Sequence, residues 1–153
     1  GWWGHNKNRR FFMEPHFEPI TNAHGWQVSN SPVLSLAPYL ASIHIFAEVG
    51  MQKIIKKRKL ITAYLEFILH EIDKEVNRTF EVITPSSQDE RACQLSVFLH
   101  GEGKDLFNYL TNNGVITDWR EPNVIRLAPV PLYTSFEDMY EFGQILKKGV
   151  IKS

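Results

Sequence analysis

The chain has almost no cysteine, since Cys93 is the single one among 153 residues. A lone cysteine cannot form an internal disulfide, and it leaves no Cys-x-x-Cys or Cys/His spacing of the kind that zinc sites use. The six histidines never fall at the i, i+4 spacing of a helical metal pair. The sequence therefore predicts no metal site. A lone thiol suits a reducing compartment, by default the cytoplasm.

Neither sign of charge is in excess, because seventeen basic residues balance seventeen acidic ones. Proteins that bind nucleic acid or anionic membranes ordinarily carry a basic excess. A basic run at 53–59 lies within a helical pattern that continues into acidic residues, so we interpret it as solvated helix surface. No run approaches the roughly 20 apolar residues that span a bilayer. We expect neither nucleic acid nor membrane as a partner, but a small neutral or zwitterionic molecule.

Recognised catalytic motifs are also missing. The chain contains no G-x-S-x-G nucleophile motif and no glycine-rich phosphate loop. Cys93 has no base nearby in the sequence, which favours a packed small side chain over a nucleophile. We therefore expect no complete catalytic apparatus in this segment. The chain begins with Gly1, Trp2 and Trp3 instead of Met, so we expect it to be the cut end of a longer protein.

The hydrophobic pattern changes character at about residue 50. Residues 1–32 have no period and read as an irregular loop, and helical spacing follows at 33–48, with Pro38 inside it. A long helix is predicted at 51–76. Beyond it the pattern predicts strands at 80–84, 94–99, 115–119 and 124–128, and helices at 104–113 and 135–148. The last helix is predicted to start at a capping box of Thr134 and Glu137. This order predicts an α+β fold with an antiparallel sheet covered by helices, and two domains, 1–48 and 49–153.

Arg126 is the first candidate for a ligand contact. It lies in an otherwise apolar strand that runs into two prolines. A guanidinium stays charged in proteins, and a carboxylate held in bidentate fashion is its best-matched partner. The alternative is an arginine paired with a structural Asp or Glu. Spacing alone leaves both interpretations open.

Two more clusters carry polar or aromatic groups. Residues 26–32 place amides and hydroxyls just before a helix N-terminus, which suits a phosphate or carboxylate; the alternative is plain helix capping by Ser29, Asn30 or Ser31. Residues 1–5 offer the aromatic surface and indole N–H of Trp2 between glycines that let a ligand approach; the alternative is a packed aromatic cluster.

Taken in order, these clusters resemble the C-terminal part of the kynureninases, which are pyridoxal-phosphate enzymes of the aspartate aminotransferase fold type. The matching blocks are 1–5 (GWWGH), 25–34 (GWQVSNSPVL), 62–67 (TAYLEF), 83–85 (ITP), 93–96 (CQLS) and 126–138 (RLAPVPLYTSFED). The resemblance implies a large-domain loop and helix at 1–48, and a small C-terminal domain at 49–153 entered by a long connecting helix. It also implies a homodimer.

The resemblance further implies hydrolysis of L-kynurenine, or its 3-hydroxy form, to anthranilate and L-alanine with pyridoxal 5'-phosphate as cofactor. By position, Trp2 and Asn30 are similar to the family's cofactor-site residues and also lie near the substrate. Arg126 is similar to the arginine that binds the substrate's α-carboxylate. No residue of this chain matches a catalytic one, because the Schiff-base lysine is expected upstream of Trp2, so we expect the segment alone to be inactive.

The sequence departs from the family pattern at two positions. Ser31 stands where a first proline is usual, and Asn6 stands where an acidic residue is common. Two alternatives to the enzyme remain. One is a stand-alone, non-catalytic α+β binding or dimerisation module derived from the family, and the other is a related pyridoxal-phosphate lyase that acts on a different amino acid.

Overall fold

The computed structural model describes residues 2–76, 80–101 and 103–152. It divides the chain into two compact units, Gly1–Glu48 and Val49–Ser153. The sequence indicated a boundary near the same residues. The assignment of these units to a large and a small domain stays a prediction.

The first unit contains two short 3-10 helices and one α-helix. The 3-10 helices are Trp2–Gly4 and Ala23–Trp26, and an isolated antiparallel bridge joins His5 to Pro19. Helix α1, Val33–Val49, agrees with the predicted 33–48 and continues through Pro38. Pro38 lies in the second turn, and because it has no N–H the Leu34 carbonyl lacks its usual helical donor there. The side chains of α1 from 33 to 48 are all exposed within the chain.

The second unit is an α+β layer, as predicted. Its elements are α2 (Met51–Val76), β1 (Phe80–Val82), β2 (Leu95–Leu99), α3 (Gly103–Asn112), β3 (Asp118–Arg120), β4 (Val124–Leu127) and α4 (Phe136–Lys152). The strands form one antiparallel sheet in the order β1-β2-β4-β3. Among the described residues no single helix is long and apolar enough to cross a membrane; α1 and α2 meet that test of length and composition only as a pair.

The third strand starts later than predicted. The sequence placed a strand at 115–119, but β3 is Asp118–Arg120. The reason lies at the end of α3, where Gly114 has a φ of +81° and the Val115 N–H donates to the Leu110 carbonyl over 3.0 Å. This six-to-one bond is the Schellman closure of a helix. It uses the Val115 N–H in the closure of the helix, so the strand begins only at Asp118.

One face of the sheet packs against the helices and the other is open. The core consists of alternate strand residues and of one stripe on each helix: Leu65, Ile68, Leu69, Ile72, Phe80, Leu95, Val97, Leu99, Leu106, Leu110, Ile125, Leu127, Phe142, Leu146 and Val150. The period of two in β2 and β4 sends Ser96 and Arg126 to the opposite face. Core packing therefore determines which strand residues remain available for polar contacts.

A buried arginine fastens the connection between β1 and β2 to α2. The Arg91 side chain is 1% exposed and forms two bonds with the Glu66 carboxylate, Nη1 to Oε1 at 3.1 Å and Nη2 to Oε2 at 2.6 Å. Its Nη1 also donates to the Pro85 carbonyl over 3.2 Å. Its buried Nε has no partner within the described ranges. The charge is tolerated in this position because the carboxylate neutralises it.

The basic run of α2 takes part in the same fastening. Arg58 Nη1 donates to the carbonyls of Gln88 and Arg91, both at 2.7 Å, and Lys59 pairs with Asp89 at 2.9 Å. The interpretation of this run as solvated surface is therefore wrong for Arg58, which is partly buried, although Lys53 is exposed as expected. Arg58 and Glu66 lie eight residues apart on α2 and so share a helix face.

We expect Glu66→Gln to lower the free energy of unfolding of the chain by about 2 kcal/mol, because the buried Arg91 guanidinium loses its countercharge. The matched control is Glu71→Gln on the same helix, whose partner Lys74 is exposed. Urea denaturation followed by circular dichroism measures both variants. Equal midpoints for the two would show that the Arg91 pair does not hold the connection.

The cap of the last helix lies one residue beyond its predicted position. The Ser135 N–H donates to Asp138 Oδ2 over 2.7 Å, and the Asp138 N–H donates to Ser135 Oγ over 3.0 Å. This reciprocal pair is a capping box with an acidic third residue. The predicted pair of Thr134 and Glu137 is wrong, because Thr134 Oγ1 instead accepts from the Val130 N–H over 3.0 Å and stabilises the preceding turn.

The Ser135 backbone N–H first, and then its side-chain hydroxyl, stabilise the ionised Asp138 carboxylate and hold the pKa of Asp138 below its ordinary value. The ionised carboxylate thus stabilises the fold above the ordinary pKa, and that stabilisation is lost as the pH falls through the lowered one.

We expect Ser135→Ala to raise the pKa of Asp138 partway, measured by carboxyl NMR titration. Thr134→Ala is the control and should leave the pKa of Asp138 unchanged. A pKa shift in Thr134→Ala without one in Ser135→Ala would instead support the capping box that the sequence predicted, Thr134 with Glu137.

Candidate functional site

Arg126 lies on β4, which pairs with β2 on one side and with β3 on the other. Its Cα is in register with Ser96 on β2 and with Asp118 on β3. The side chain is on the open face and is 32% exposed. Its immediate apolar neighbours, Ile125 and Leu127, point to the other face of the sheet, into the core. The guanidinium is therefore accessible on the open face.

The guanidinium is held by one carboxylate. Asp118 Oδ2 accepts from Arg126 Nε at 2.5 Å and also contacts Arg126 Nη2. The same oxygen is 3.0 Å from Arg120 Nε. We call Arg120, Asp118 and Arg126 the arginine–aspartate triad. The contact agrees with the alternative interpretation of Arg126, an arginine paired with a structural Asp. Arg126 is nevertheless partly accessible in this position.

The triad leaves one edge of the guanidinium open. Nε and Nη2 form one donor fork of an arginine, and Nη1 and Nη2 form the other. Asp118 occupies the first fork. Within residues 2–76, 80–101 and 103–152, Nη1 of Arg126 has no hydrogen-bond partner. With two cations and one anion the group has a net charge of +1, so its open fork suits a further anion.

Trp2 lies in the first 3-10 helix and is 51% exposed. The indole N–H that the sequence offered to an anion donates to the Arg10 carbonyl over 3.0 Å, and the ring meets Phe11 edge to face at 5.4 Å. This agrees with the alternative of a packed aromatic cluster. The exposed half of the ring remains as a flat apolar surface, and Trp2 also lines a cleft of about 340 Å³.

Asn30 lies in the exposed stretch that precedes α1, and its side-chain amide has no hydrogen-bond partner within the described part of the chain. The side chain of Gln27 supports this stretch, since its Nε2 donates to the Ser29 carbonyl at 3.2 Å and to Ser31 Oγ at 3.4 Å. The helix capping predicted as the alternative, by Ser29, Asn30 or Ser31, is not found among the described hydrogen bonds. The Pro32 carbonyl instead accepts from the first turn of α1.

Ser31 and Asn6, the two departures from the family pattern, both have local partners. Ser31 Oγ accepts from Gln27, which ties down the turn that a proline would otherwise stiffen. Asn6 Nδ2 donates to Glu18 Oε1 over 2.7 Å. An acidic residue at position 6 would face the Glu18 carboxylate, so the amide suits this surrounding better than a second negative charge.

The glycines near Trp2 serve the packing of the backbone. A Cβ on Gly4 would lie 2.3 Å from the Gly25 carbonyl oxygen, and a Cβ on Gly25 would lie 2.3 Å from the Ile20 carbonyl oxygen. The Ile20 N–H donates to the Gly4 carbonyl over 2.8 Å. The two 3-10 helices thus approach closely because neither glycine has a side chain. The expectation that glycines beside Trp2 let a ligand approach concerned Gly1 and Gly4; Gly1 lies outside the described residues, and the close packing is sufficient to explain Gly4.

The structure adds two residues to those that the sequence predicted for the site. Trp2 and Asn30 lie in the first unit and Arg126 in the second, and no described hydrogen bond or ring contact joins Trp2 to Asn30. Sequence reasoning missed Asp118 and Arg120. A signal was available, because two charges alternate in a short strand that a turn folds back onto Arg126. Among the described residues no group of His, Cys, Asp and Glu is arranged to hold a metal.

Fold and site together define a small α+β domain whose antiparallel sheet presents a paired arginine on its open face. Residues 55–146 match the family model described as the kynureninase C-terminal domain. The chain is 74% identical over all its 153 residues to a kynureninase of Flavobacterium psychrophilum. It is 76% identical over 151 residues, 99% of the chain, to that of Flavobacterium johnsoniae. A kynureninase of Xanthomonas campestris pv. campestris is 46% identical over 144 residues, 92% of the chain.

The chain belongs to the kynureninase family and corresponds to a C-terminal portion of it. It spans 36% of the length of the two Flavobacterium relatives and 33% of the Xanthomonas one. The predicted family is confirmed. The roles predicted for Trp2, Asn30 and Arg126 stay predictions.

We expect Gly4→Ala to loosen the first unit, because the new Cβ would force its backbone away from Gly25. The amide of Ile20, which bonds to the Gly4 carbonyl, should exchange its hydrogen at least about tenfold faster. NMR-detected exchange measures this, with Asn8→Ala in an exposed turn as control. Unchanged protection of Ile20 in Gly4→Ala would contradict the close approach of the two 3-10 helices.

Proposed function

We propose that this chain is the C-terminal part of an enzyme that hydrolyses L-kynurenine, or its 3-hydroxy form, to anthranilate and L-alanine. The observation that carries the proposal is the open fork of Arg126 in a chain that belongs to the kynureninase family. Both substrates are amino acids with a free α-carboxylate. An arginine with one free donor fork is suited to bind that group in bidentate fashion.

Pyridoxal 5'-phosphate is the cofactor that this proposal requires, and when bound it supplies the electron sink for cleavage of the carbon–carbon bond. Trp2 and Asn30 are suited to form part of the binding site for this cofactor. The exposed half of the Trp2 ring offers a flat surface for a heteroaromatic ring, and its N–H is already used by Arg10. The amide of Asn30 has no partner among the described residues, so it can donate to or accept from a ligand.

The remaining parts of the site belong, in this proposal, to the rest of the parent protein. The lysine that holds the cofactor covalently and most of the substrate pocket would lie outside the chain, so residues 1–153 alone should be inactive. We propose a homodimer for the parent, and the cytoplasm as its location because the lone Cys93 is free. A zwitterionic substrate also suits a chain with no net charge.

The rival function is a non-catalytic binding or dimerisation module. The observation in its favour is that the second unit has a complete hydrophobic core of its own. Such a module would not turn over kynurenine. Activity of the parent protein towards kynurenine therefore separates the two.

In the parent enzyme we expect Arg126→Ala to reduce kcat/KM for kynurenine at least about thirtyfold, equivalent to about 2 kcal/mol of lost transition-state binding. Arg126→Lys should recover only part of this, because an ammonium cannot form the bidentate pair. Lys56→Ala, at an exposed position on α2, is the control. Near-normal activity of Arg126→Ala would refute the carboxylate role. A parent without activity on kynurenine, but active on another amino acid such as cysteine, would favour a related lyase.

A further inference from the structure

The arginine–aspartate triad contains two residues to which nothing so far assigns a role. Asp118 and Arg120 lie on β3, on the same open face as Arg126. A single oxygen, Asp118 Oδ2, contacts Nε and Nη2 of Arg126 and Nε of Arg120. All three side chains are partly exposed, at 46% for Asp118, 59% for Arg120 and 32% for Arg126. The group is therefore accessible to a ligand.

The contact with Asp118 selects the fork of the guanidinium that remains free. Unpaired, an arginine on an open sheet face can rotate about its side-chain torsions and present either fork, at a cost in conformational entropy when a ligand stops that motion. In the triad the Nε–Nη2 fork is taken, so only the Nη1–Nη2 fork remains free for a ligand. A carboxylate that arrives there meets a donor pair whose orientation is already set.

Arg120 compensates for the charge that Asp118 introduces. A pair of Arg126 and Asp118 alone would be electrically neutral and would attract an anion weakly. With Arg120 bound to the same oxygen, two positive charges and one negative charge give a net charge of +1. Asp118 thus sets the orientation of the Arg126 guanidinium, and Arg120 supplies the positive charge that attracts an anion.

We propose that Asp118 is a positioning residue that presents the Nη1–Nη2 fork of Arg126 to the α-carboxylate of the substrate, and that Arg120 keeps this receptor positively charged. The proposal rests on the proposed function, because it takes the ligand of Arg126 to be that carboxylate. A different possibility is that Asp118 occupies the place of the substrate carboxylate and must leave when substrate binds.

The two possibilities predict opposite effects for Asp118→Asn in the parent enzyme. This variant keeps the shape of the side chain and raises the net charge of the group from +1 to +2. If Asp118 merely competes with substrate, the KM for kynurenine should fall. If Asp118 positions Arg126, we expect KM to rise about fivefold to tenfold despite the added positive charge, with a smaller change in kcat.

A second readout isolates the carboxylate. L-Alanine and L-alaninamide serve as competitive inhibitors of the parent, and they differ only in the anionic group. We expect Asp118→Asn to reduce the preference for L-alanine over L-alaninamide, whereas a merely structural role would leave this ratio unchanged. Inhibition constants and KM do not depend on the fraction of enzyme that is folded. Asp105→Asn, an exposed substitution in the first turn of α3, is the control.

Two further variants complete the test. Asp118→Glu keeps the charge but displaces the carboxylate by one methylene, so it should also weaken the preference for L-alanine; it serves as well if Asp118→Asn yields no folded enzyme. Arg120→Ala should reduce this preference about threefold, a small effect because exposed charges are screened, and Arg120→Lys should restore it.

The outcomes distinguish this proposal from the proposed function. If Arg126→Ala is impaired while Asp118→Asn and Asp118→Glu keep a normal KM and a normal inhibitor preference, the positioning role is overturned and the carboxylate role of Arg126 stands. A lower KM in Asp118→Asn also overturns it, in favour of competition with substrate. If Arg126→Ala itself is unimpaired, both proposals fail together.

Discussion

The alternation of side chains along β4 is the constraint on which the candidate site depends. Ile125 and Leu127 must both face the helices, because their burial closes the core of the second unit. Arg126 must then face the opposite side, whatever its own chemistry. Antiparallel pairing with β3 brings Asp118 directly beside it. A slip of one residue would bury a guanidinium and expose two core residues, so the apolar core and the position of the arginine are specified together.

Polar contacts hold the part of the second unit that lies outside its regular elements. The connection from β1 to β2 contains no regular structure along 83–94, and it is held to α2 by Arg58 and by the buried pair of Arg91 and Glu66. Because β2 is the direct neighbour of β4, the anchoring of its entry also supports the strand that carries Arg126. The second unit therefore uses Arg58 and Arg91 to fasten this connection and leaves Arg126 partly free. Burial separates the two roles, at 1% exposure for Arg91 and 32% for Arg126.

Much of this fold could be predicted from periodicity. The bounds of α2 and the succession of strands and helices along the chain follow from apolar spacing, and the glycine at position 50, with a φ of +82°, ends α1 as expected. What failed were features that depend on competition between neighbouring groups. Ser135 outcompetes Thr134 as the cap because Thr134 Oγ1 already accepts a backbone N–H. The use of the Trp2 indole by the Arg10 carbonyl likewise depends on a turn that no sequence pattern specifies.

The two interpretations of Arg126 that the sequence left open do not exclude each other. A guanidinium has two donor forks, and pairing with a structural carboxylate uses only one of them. An arginine without any partner on an open sheet face would be mobile, and an arginine with both forks occupied would be closed to ligands. The contact with Asp118 lies between these limits, and Arg120 preserves the positive charge. A structural ion pair at this position therefore makes an oriented anion receptor physically reasonable. An Asp paired with a candidate arginine is thus an argument for an anion-binding role of that arginine and not against it.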